Sequence, residues 1–478
     1  MVSMLSFALC SLLASPQGGP AESLLDIVDL KQPPEVVLEV GGLAPVGKDL
    51  LVATRRGEVW LVRDAHGAEP RFQLWAEGLQ EPLGLLEHEG WFYTSQRGEL
   101  SRMRDKDGDG RMDELRTVSS GWPLSGNYHE YGFGPALAGD GTMWMTWNKP
   151  FGDEPFGFAA FRGWAARVKQ DGTWEGVCAG LRSPAGVGTA PWGEVFYTDN
   201  QGEWCATSKF AALAEGDFHG HPHGIESCKL PQSRVQHPGE VKSGQRMEVA
   251  AATIPNFRLP AVWIPYDRVG RSPGGFVWDD AGRFGPYKGQ VFCGDQWSAE
   301  VFRMSLEKVA GRWQGACYPF RKGLKCGITR VAWATDGSLW CGLTNRGWGS
   351  LGKSMDGIQR LVWKGGESFD LIEVTARKAG FTLRYSHAVD AASIAPACFA
   401  VARWTYDHHA GYGCPERDNT PLTVTAARVV GDGRTVEIDV DGMKPVWVHH
   451  VVGAGVRAAG GVAGTPAEAF YTLNALPE

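Results

Sequence analysis

One short pattern recurs along this chain and limits its fold more than any other feature. A small or polar residue leads into a short apolar strand, an Asp-Gly-like turn follows, and a second strand ends near Thr, Asn or Arg. Copies begin at Gly41 ("GGLAPVGKDLLVATRRGEVWLV"), Glu81, Tyr128, Arg182, Ser272 and Ile328. Most start roughly 40 to 56 residues apart, and the one long gap holds a loop-rich insertion around "GDFHGHPHGIESCKLPQ". A β unit this small cannot bury both faces of its own sheet, whereas neighbours packed radially bury them together. The pattern predicts an all-β chain with a six-bladed β-propeller over residues 33–365; an array of β-sandwiches is the alternative. The 20 Trp and 21 Phe supply large flat side chains to wedge between blades.

The pattern changes after residue 365. Over 367–478 the stretches "FTLRYSHAV", "LTVTAARVV", "TVEIDV" and "VWVHHVV" alternate apolar and polar residues between Asp-Gly turns. They predict a small C-terminal β-sandwich of immunoglobulin-like type. The aromatic stretch "RWTYDHHAGYGCPE" (403–416) reads as a structured loop, with a docking surface as the other reading. No nucleophile elbow, P-loop or Rossmann fingerprint occurs.

Residues 1–23 form a short apolar run followed by small residues and Pro/Gly, the pattern of an export signal, although no basic residue opens it. The expected location is periplasmic or extracellular. No later stretch reaches the ~18 apolar residues of a membrane span. The net charge of −7, without a Lys/Arg run, argues against nucleic acid as a partner. Nine of the ten Cys follow the signal, and Cys205/Cys228 and Cys317/Cys326 are the nearest pairs for a bridge. There is no CxxCH haem motif and no paired CxxC zinc pattern.

In a propeller the innermost strands all run the same way, so the residues leading into them gather around one mouth. Here those positions hold Glu81, His129 and Glu130, Arg182, Ser272, and Thr329 and Arg330. Imidazole titrates near neutrality and can take a proton from a hydroxyl, which makes His129 the candidate base. Arg182 offers a permanently charged planar fork for carboxylate or carbonyl oxygens. The Gly-rich stretch "NRGWGSLG" adds Arg346 and Trp348 as a guanidinium and a sugar-stacking face.

"DKDGDGRMDE" is the sharpest local signal. Asp105, Asp107, Asp109 and Asp113 fall at positions 1, 3, 5 and 9 of a calcium loop, with the backbone carbonyl of Arg111 at position 7 and Gly110 permitting the bend. Arg116 replaces the usual twelfth-position Glu, and Glu114 is the substitute ligand. The loop, standing just before His129 in sequence, is expected to brace the mouth. His219, His221 and His223 alternate, a spacing that can hold zinc or copper, while "GDFxGHP" can equally be a structural turn.

The stretches "GNYHEYGFGP…DGTMWMT" and "GLRSPAGVG…GEVFYTDNQGEW" resemble the glucose/sorbosone dehydrogenase family of soluble quinoprotein sugar dehydrogenases. With "EVGGLA", "GLQEPLGLL", "RDKDGDGRMDE", "NRGWGSLG" and "YTLNALP", the chain is also similar to an exported bacterial branch labelled membrane-bound dehydrogenase domain proteins. The resemblance implies that His129 is the general base for hydride transfer to pyrroloquinoline quinone and that Arg182 contacts the quinone. It departs at the fifth unit, where Gln296 and Trp297 stand near a Lys of the quinoproteins. In the sixth unit it has Arg330 alone where they have paired Arg residues. No fused cytochrome follows, so a separate electron carrier is implied. The readings are thus a sugar or polyol oxidoreductase, a non-catalytic carbohydrate-binding propeller, or a propeller hydrolase or lyase using Glu130 or Glu81 with His129.

Overall fold

Nearly every residue of Val40–Val46, Gly132–Leu137 and Pro273–Trp278 is buried, on both faces of the strand. Strands of this kind belong inside a structure, with further strands outside them. The computed structural model, which describes residues 20–152, 158–462, 464 and 467–478, places each one at the inner edge of a four-stranded antiparallel meander. The six inner strands are Val40–Val46, Leu86–His88, Gly132–Leu137, Gly186–Thr189, Pro273–Trp278 and Ile328–Trp333. Each touches the next, and the last touches the first, so the six sheets form a ring about one axis: a β-propeller. No sheet curls into a barrel. The outermost strand of blade six is Leu25–Asp29, upstream of the expected boundary at residue 33, paired along its length with Asp356–Trp363.

Glycine sets how closely the inner strands approach. A Cβ on Gly84 would stand 2.1 Å from the carbonyl oxygen of Gly134, and one on Gly186 would stand 2.1 Å from that of Gly274. A Cβ on Gly42 would meet the backbone of Gly84 at 2.6 Å. The small residues of the repeating sequence unit are therefore where backbone meets backbone around the axis.

Blade four carries the insertion between its third strand, Ser208–Leu213, and its fourth, Val262–Ile264; within it lies the one α-helix of the described residues, Met247–Thr253. Among the described residues no helix is long and apolar enough to cross a membrane. Aromatic wedges fill the gaps between blades, as where Phe196 of blade four packs edge-on against Trp278 of blade five.

The chain beyond residue 370 forms two four-stranded layers around a core of Phe381, Leu383, Tyr385, Val436, Ile438 and Val451. One layer stands alone. The other continues blade five into an eight-stranded sheet, because Ala467–Leu473 pairs with the blade's outer strand at Gly315, Ala316 and Cys317. A buried clamp reinforces the joint. Arg303 of blade five donates to Asp370 (3.0 Å) and to the carbonyls of Leu371 (2.7 Å) and Ile372 (3.1 Å), while Tyr287 donates to the same carboxylate at 2.7 Å.

Gly186→Ala tests the glycine contact. The methyl group would be forced against the Gly274 carbonyl, so unfolding in denaturant is expected to show a loss of about 3 kcal/mol. A loss under about 0.5 kcal/mol would mean that the inner strands separate without strain.

Candidate functional site

Blades four and five open with the same tripeptide, Arg182-Ser183-Pro184 and Arg271-Ser272-Pro273. In each, the aspartate ending the blade's second strand accepts the backbone N–H groups of the Arg and the Ser. Asp199 does so at 3.1 and 2.6 Å, and Asp295 at 2.8 and 2.7 Å. This carboxylate fixes the direction of the lead-in backbone and delivers both arginines to one hollow.

That hollow is a pit of ≈ 320 Å³ at the mouth of the ring. His129, Arg182, Ser272, Gln296, Arg330 and Trp348, all singled out in the sequence, line it together. His129 is half-buried, and its backbone N–H donates to Asn127 Oδ1 at 2.9 Å. Its ring lies among Phe151 (5.1 Å), Tyr128 (5.2 Å) and Trp348 (6.4 Å), and no described side chain hydrogen-bonds to the imidazole. Burial, then the nearby charges of Arg97, Lys149, Arg182 and Arg55, hold its pKa below the ordinary imidazole value, so it is neutral at pH 7. Arg182 stacks on the same Phe151 at 4.6 Å and donates through Nε to Glu203 at 2.7 Å. A side chain on Gly202 would collide with its guanidinium.

Arg330 forms the floor. It donates to the carbonyls of Ala185 (2.9 Å), Leu83 (3.1 Å) and Thr329 (2.5 Å), tying blades two, four and six across the axis. It also lines a ≈ 120 Å³ cavity in the axial channel below. Burial, then Arg55, lowers its pKa to about 9, which leaves it charged at neutral pH. Among the described residues no carboxylate pairs with it.

Three of the residues expected at the mouth are turned elsewhere. The Glu130 carboxylate is buried and accepts Ser125 N (2.8 Å), Ser125 Oγ (2.8 Å) and Gly126 N (3.1 Å), closing its own loop. Glu81 bridges Arg55 and Arg97, each at 2.5 Å. Arg346 pairs with Glu39 at 2.7 Å, and only its carbonyl faces inward, accepting from Arg55. Among the described residues the pit is therefore lined by no carboxylate.

The acidic loop draws three carboxylates together, but not at the mouth. Carboxylate oxygens of Asp105, Asp107 and Asp109 come within 4.8 Å of one another. Asp105 accepts Gly108 N and Gly110 N, Asp109 accepts Arg111 N, and Asp113 accepts Lys106 N. The loop joins the third strand of blade two, Glu99–Arg104, to its fourth, Glu114–Ser120. A meander alternates ends at every turn, so this turn falls on the face away from the pit. There it is tied to the rim of blade one through Met112 N to Trp75 O (2.8 Å) and Gln73 to Asp109 O (3.2 Å). Glu114 pairs with Arg104 at 2.7 Å and with Arg116.

His219, His221 and His223 do not gather: among the described residues the three aspartates are the only group of three potential ligands that converges. Burial pushes His219 and His221 well below the imidazole range, so both stay neutral. The nine described cysteines are free thiols; neither Cys205/Cys228 nor Cys317/Cys326 is bridged. Most of the expected export signal, residues 1–19, lies outside the described residues.

Among the lining residues that the sequence reading did not place at the mouth are Arg55, Phe151, Tyr266, Arg271 and Tyr412. Arg271 was signalled by its RSP tripeptide, identical to that of Arg182. Arg55 follows the second strand of blade one, where the repeating unit itself ends in Thr and Arg, and Tyr266 lies in the connection from blade four to blade five. Tyr412 arrives from the C-terminal module, 230 positions beyond Arg182 in the numbering, and stacks over that residue's guanidinium at 5.2 Å.

Residues 50–265 match a family described as a domain of unknown function, DUF7133. No curated protein matches the chain. Among solved structures, the chain is similar to a Thermus thermophilus protein named as a candidate oxidoreductase (glucose dehydrogenase), at 21% identity and TM-score 0.51, over 71% of this chain and 100% of that one. It is also similar to a Trichoderma reesei carbohydrate-active enzyme of family AA12, at 12% identity and TM-score 0.50, over 74% and 99%. A PQQ-bound aldose sugar dehydrogenase of Streptomyces coelicolor aligns at 18% identity and TM-score 0.48, over 71% and 98%. At these identities the first two likenesses establish a shared fold.

The charges around His129 set an observable. By NMR titration its imidazole should titrate below ~6.5, the ordinary value, and Lys149→Met should raise that pKa by removing one repelling charge. An unshifted value would place the ring outside the cationic field.

Proposed function

We propose that this protein is an exported oxidoreductase that oxidises a hydroxyl or hemiacetal carbon of a sugar or polyol at the mouth of the propeller. One observation carries this reading. A neutral imidazole, with no hydrogen bond on its ring from the described residues, faces a pit whose charged lining residues are all arginines. Such a group is poised to take a proton, and the surrounding charge favours the alkoxide that forms.

The residues fit a flat, anionic redox group such as pyrroloquinoline quinone. Arg330 is a floor cation with no carboxylate partner, Arg182 and Arg271 flank the pit, and Phe151 and Trp348 give apolar faces. Arg271 supplies positive charge on the fifth-blade side, where Gln296 and Trp297 replace the lysine of the quinoproteins. Such a group, when bound, supplies the acceptor for two electrons. His129 would hold the hydroxyl proton on an imidazole nitrogen. Arg182, oriented by Glu203 and by the Asp199-anchored backbone, would hold an oxygen of the acceptor or of the substrate. Trp348 and Phe151 would exclude water from the reacting carbon. A separate carrier, a cytochrome or equivalent, would take the electrons away.

A hydrolase or lyase reading has less support, because Glu81 and Glu130 are both held away from the pit. Calcium would be held by Asp105, Asp107 and Asp109, with Asp113 and the Arg111 carbonyl completing the set. Its role there is to stiffen the seam between blades one and two on the far face.

Dye reduction by the purified protein, supplied with calcium and pyrroloquinoline quinone, should appear with at least one member of a sugar panel. His129→Ala should lower turnover ~10²–10⁴-fold without unfolding the protein. Because the base acts unprotonated, kcat/KM should hold at neutral pH and fall as pH drops through the His129 pKa, below ~6.5. Silence with every sugar, joined to retention of glycans, would leave a binding propeller instead. Separately, calorimetry should detect calcium binding that Asp107→Ala abolishes; a protein indifferent to calcium would remove the ion from this account.

A further inference from the structure

A second cavity of ≈ 280 Å³ opens beside the pit. It shares Gln201, Tyr266 and Tyr412 with the pit, so the two hollows adjoin with those side chains between them. Thr207 and Pro415 complete its wall, and Glu416 lies at its edge, held by Arg268 at 2.7 and 2.9 Å. One wall belongs to blade four and the other to the C-terminal module.

The module's wall is firmly seated. Gly413 N donates to Gly202 O (3.1 Å), Cys414 N to Ala206 O (2.7 Å), and Trp204 N to His409 O (2.8 Å). On its other side Asp407–His408 pairs with Gln245–Arg246 of the blade-four insertion. Gly413 has φ +62°, and a Cβ there would meet the Gln201 amide at 2.8 Å, so the segment presses against the blade where Tyr412 emerges. Tyr412 is 68% exposed, yet its backbone is zipped down on both sides. An aromatic side chain held in this way at the edge of a hollow is a ready stacking face.

We infer that this second hollow is a subsite for the next ring of an extended saccharide, whose reacting ring occupies the pit beside His129. The inference rests on the sugar-oxidising reading of the pit. The lining suits a neutral ring: Tyr266 and Tyr412 give flat faces for the C–H side of a sugar, and the Gln201 amide gives a polar group for its hydroxyls, while the Thr207 hydroxyl is already donated to Ile264 O. The one carboxylate at its edge is already paired. The favoured substrate is therefore a disaccharide or longer glycoside, and the C-terminal module determines that length preference.

Calorimetry with glucose, maltose and cellobiose reads binding apart from turnover. At least one disaccharide should bind the unmodified protein about tenfold more tightly than glucose. Because Tyr412 also borders the pit, Tyr412→Ala should lower both affinities but the disaccharide's about tenfold more than glucose's, while Tyr412→Phe, which keeps the ring, should restore the disaccharide's advantage. Melting temperatures confirm that the variants fold. Equal affinities for glucose and the disaccharides, reduced alike by Tyr412→Ala, would overturn the second subsite while leaving the pit as a sugar site. Failure of every saccharide to bind, with the protein folded, would overturn the sugar reading itself and the subsite with it.

Discussion

The molecule rests on backbone touching backbone around its axis. Where Gly84 meets Gly134 and Gly186 meets Gly274, there is no room for a methyl group. That closeness makes the channel narrow enough for one arginine, Arg330, to bond carbonyls of three blades across it. A narrow channel with a plugged floor becomes a pit, and the side chains leading into the inner strands become its wall. With bulkier residues at those glycines the same six sheets would stand around an open pore.

Much of this was readable before any coordinates. The recurrence of strand, turn and strand implied the ring, and the common direction of the inner strands implied that His129 and Arg182 would share a hollow. Both line it, each packed against Phe151. What one sequence could not display was the use of each charge. Glu130 looked like a partner for His129, but Ser125, five residues back, captures its carboxylate. Glu81 is taken by two arginines that no local pattern links to it. The acidic loop stood near His129 in number, yet a meander reverses direction at each turn, and the odd turn throws it to the far face. Tyr412 was hidden by distance: its loop enters the site only because the module beyond residue 370 is docked in one orientation.

That docking is built from two unlike parts. The eight-stranded sheet joins the module to blade five by backbone hydrogen bonds, which depend little on side-chain identity. The Arg303–Asp370 pair, buried with Tyr287 beside it, is directional and costly to break on one side alone. Together they convert a neighbouring module into part of the mouth. The pit's electrostatics follow a similar division. Arg55, Arg182 and Arg271 each have a carboxylate to hold them in place, whereas Arg330 is held by carbonyls alone and keeps its charge unneutralised at the base of the hollow.

The strand Leu25–Asp29 pairs with Asp356–Trp363, so the earliest β segment of the ring is completed by one of its latest. During synthesis this segment has no partner until more than three hundred further residues have left the ribosome. Blades one to five can form in order as they emerge, each from contiguous chain. The sixth cannot, and the circle stays unlatched until then. Ring closure is the most non-local step in the assembly of the propeller, and the slowest nascent species should be a five-bladed arc with its first strand still waiting.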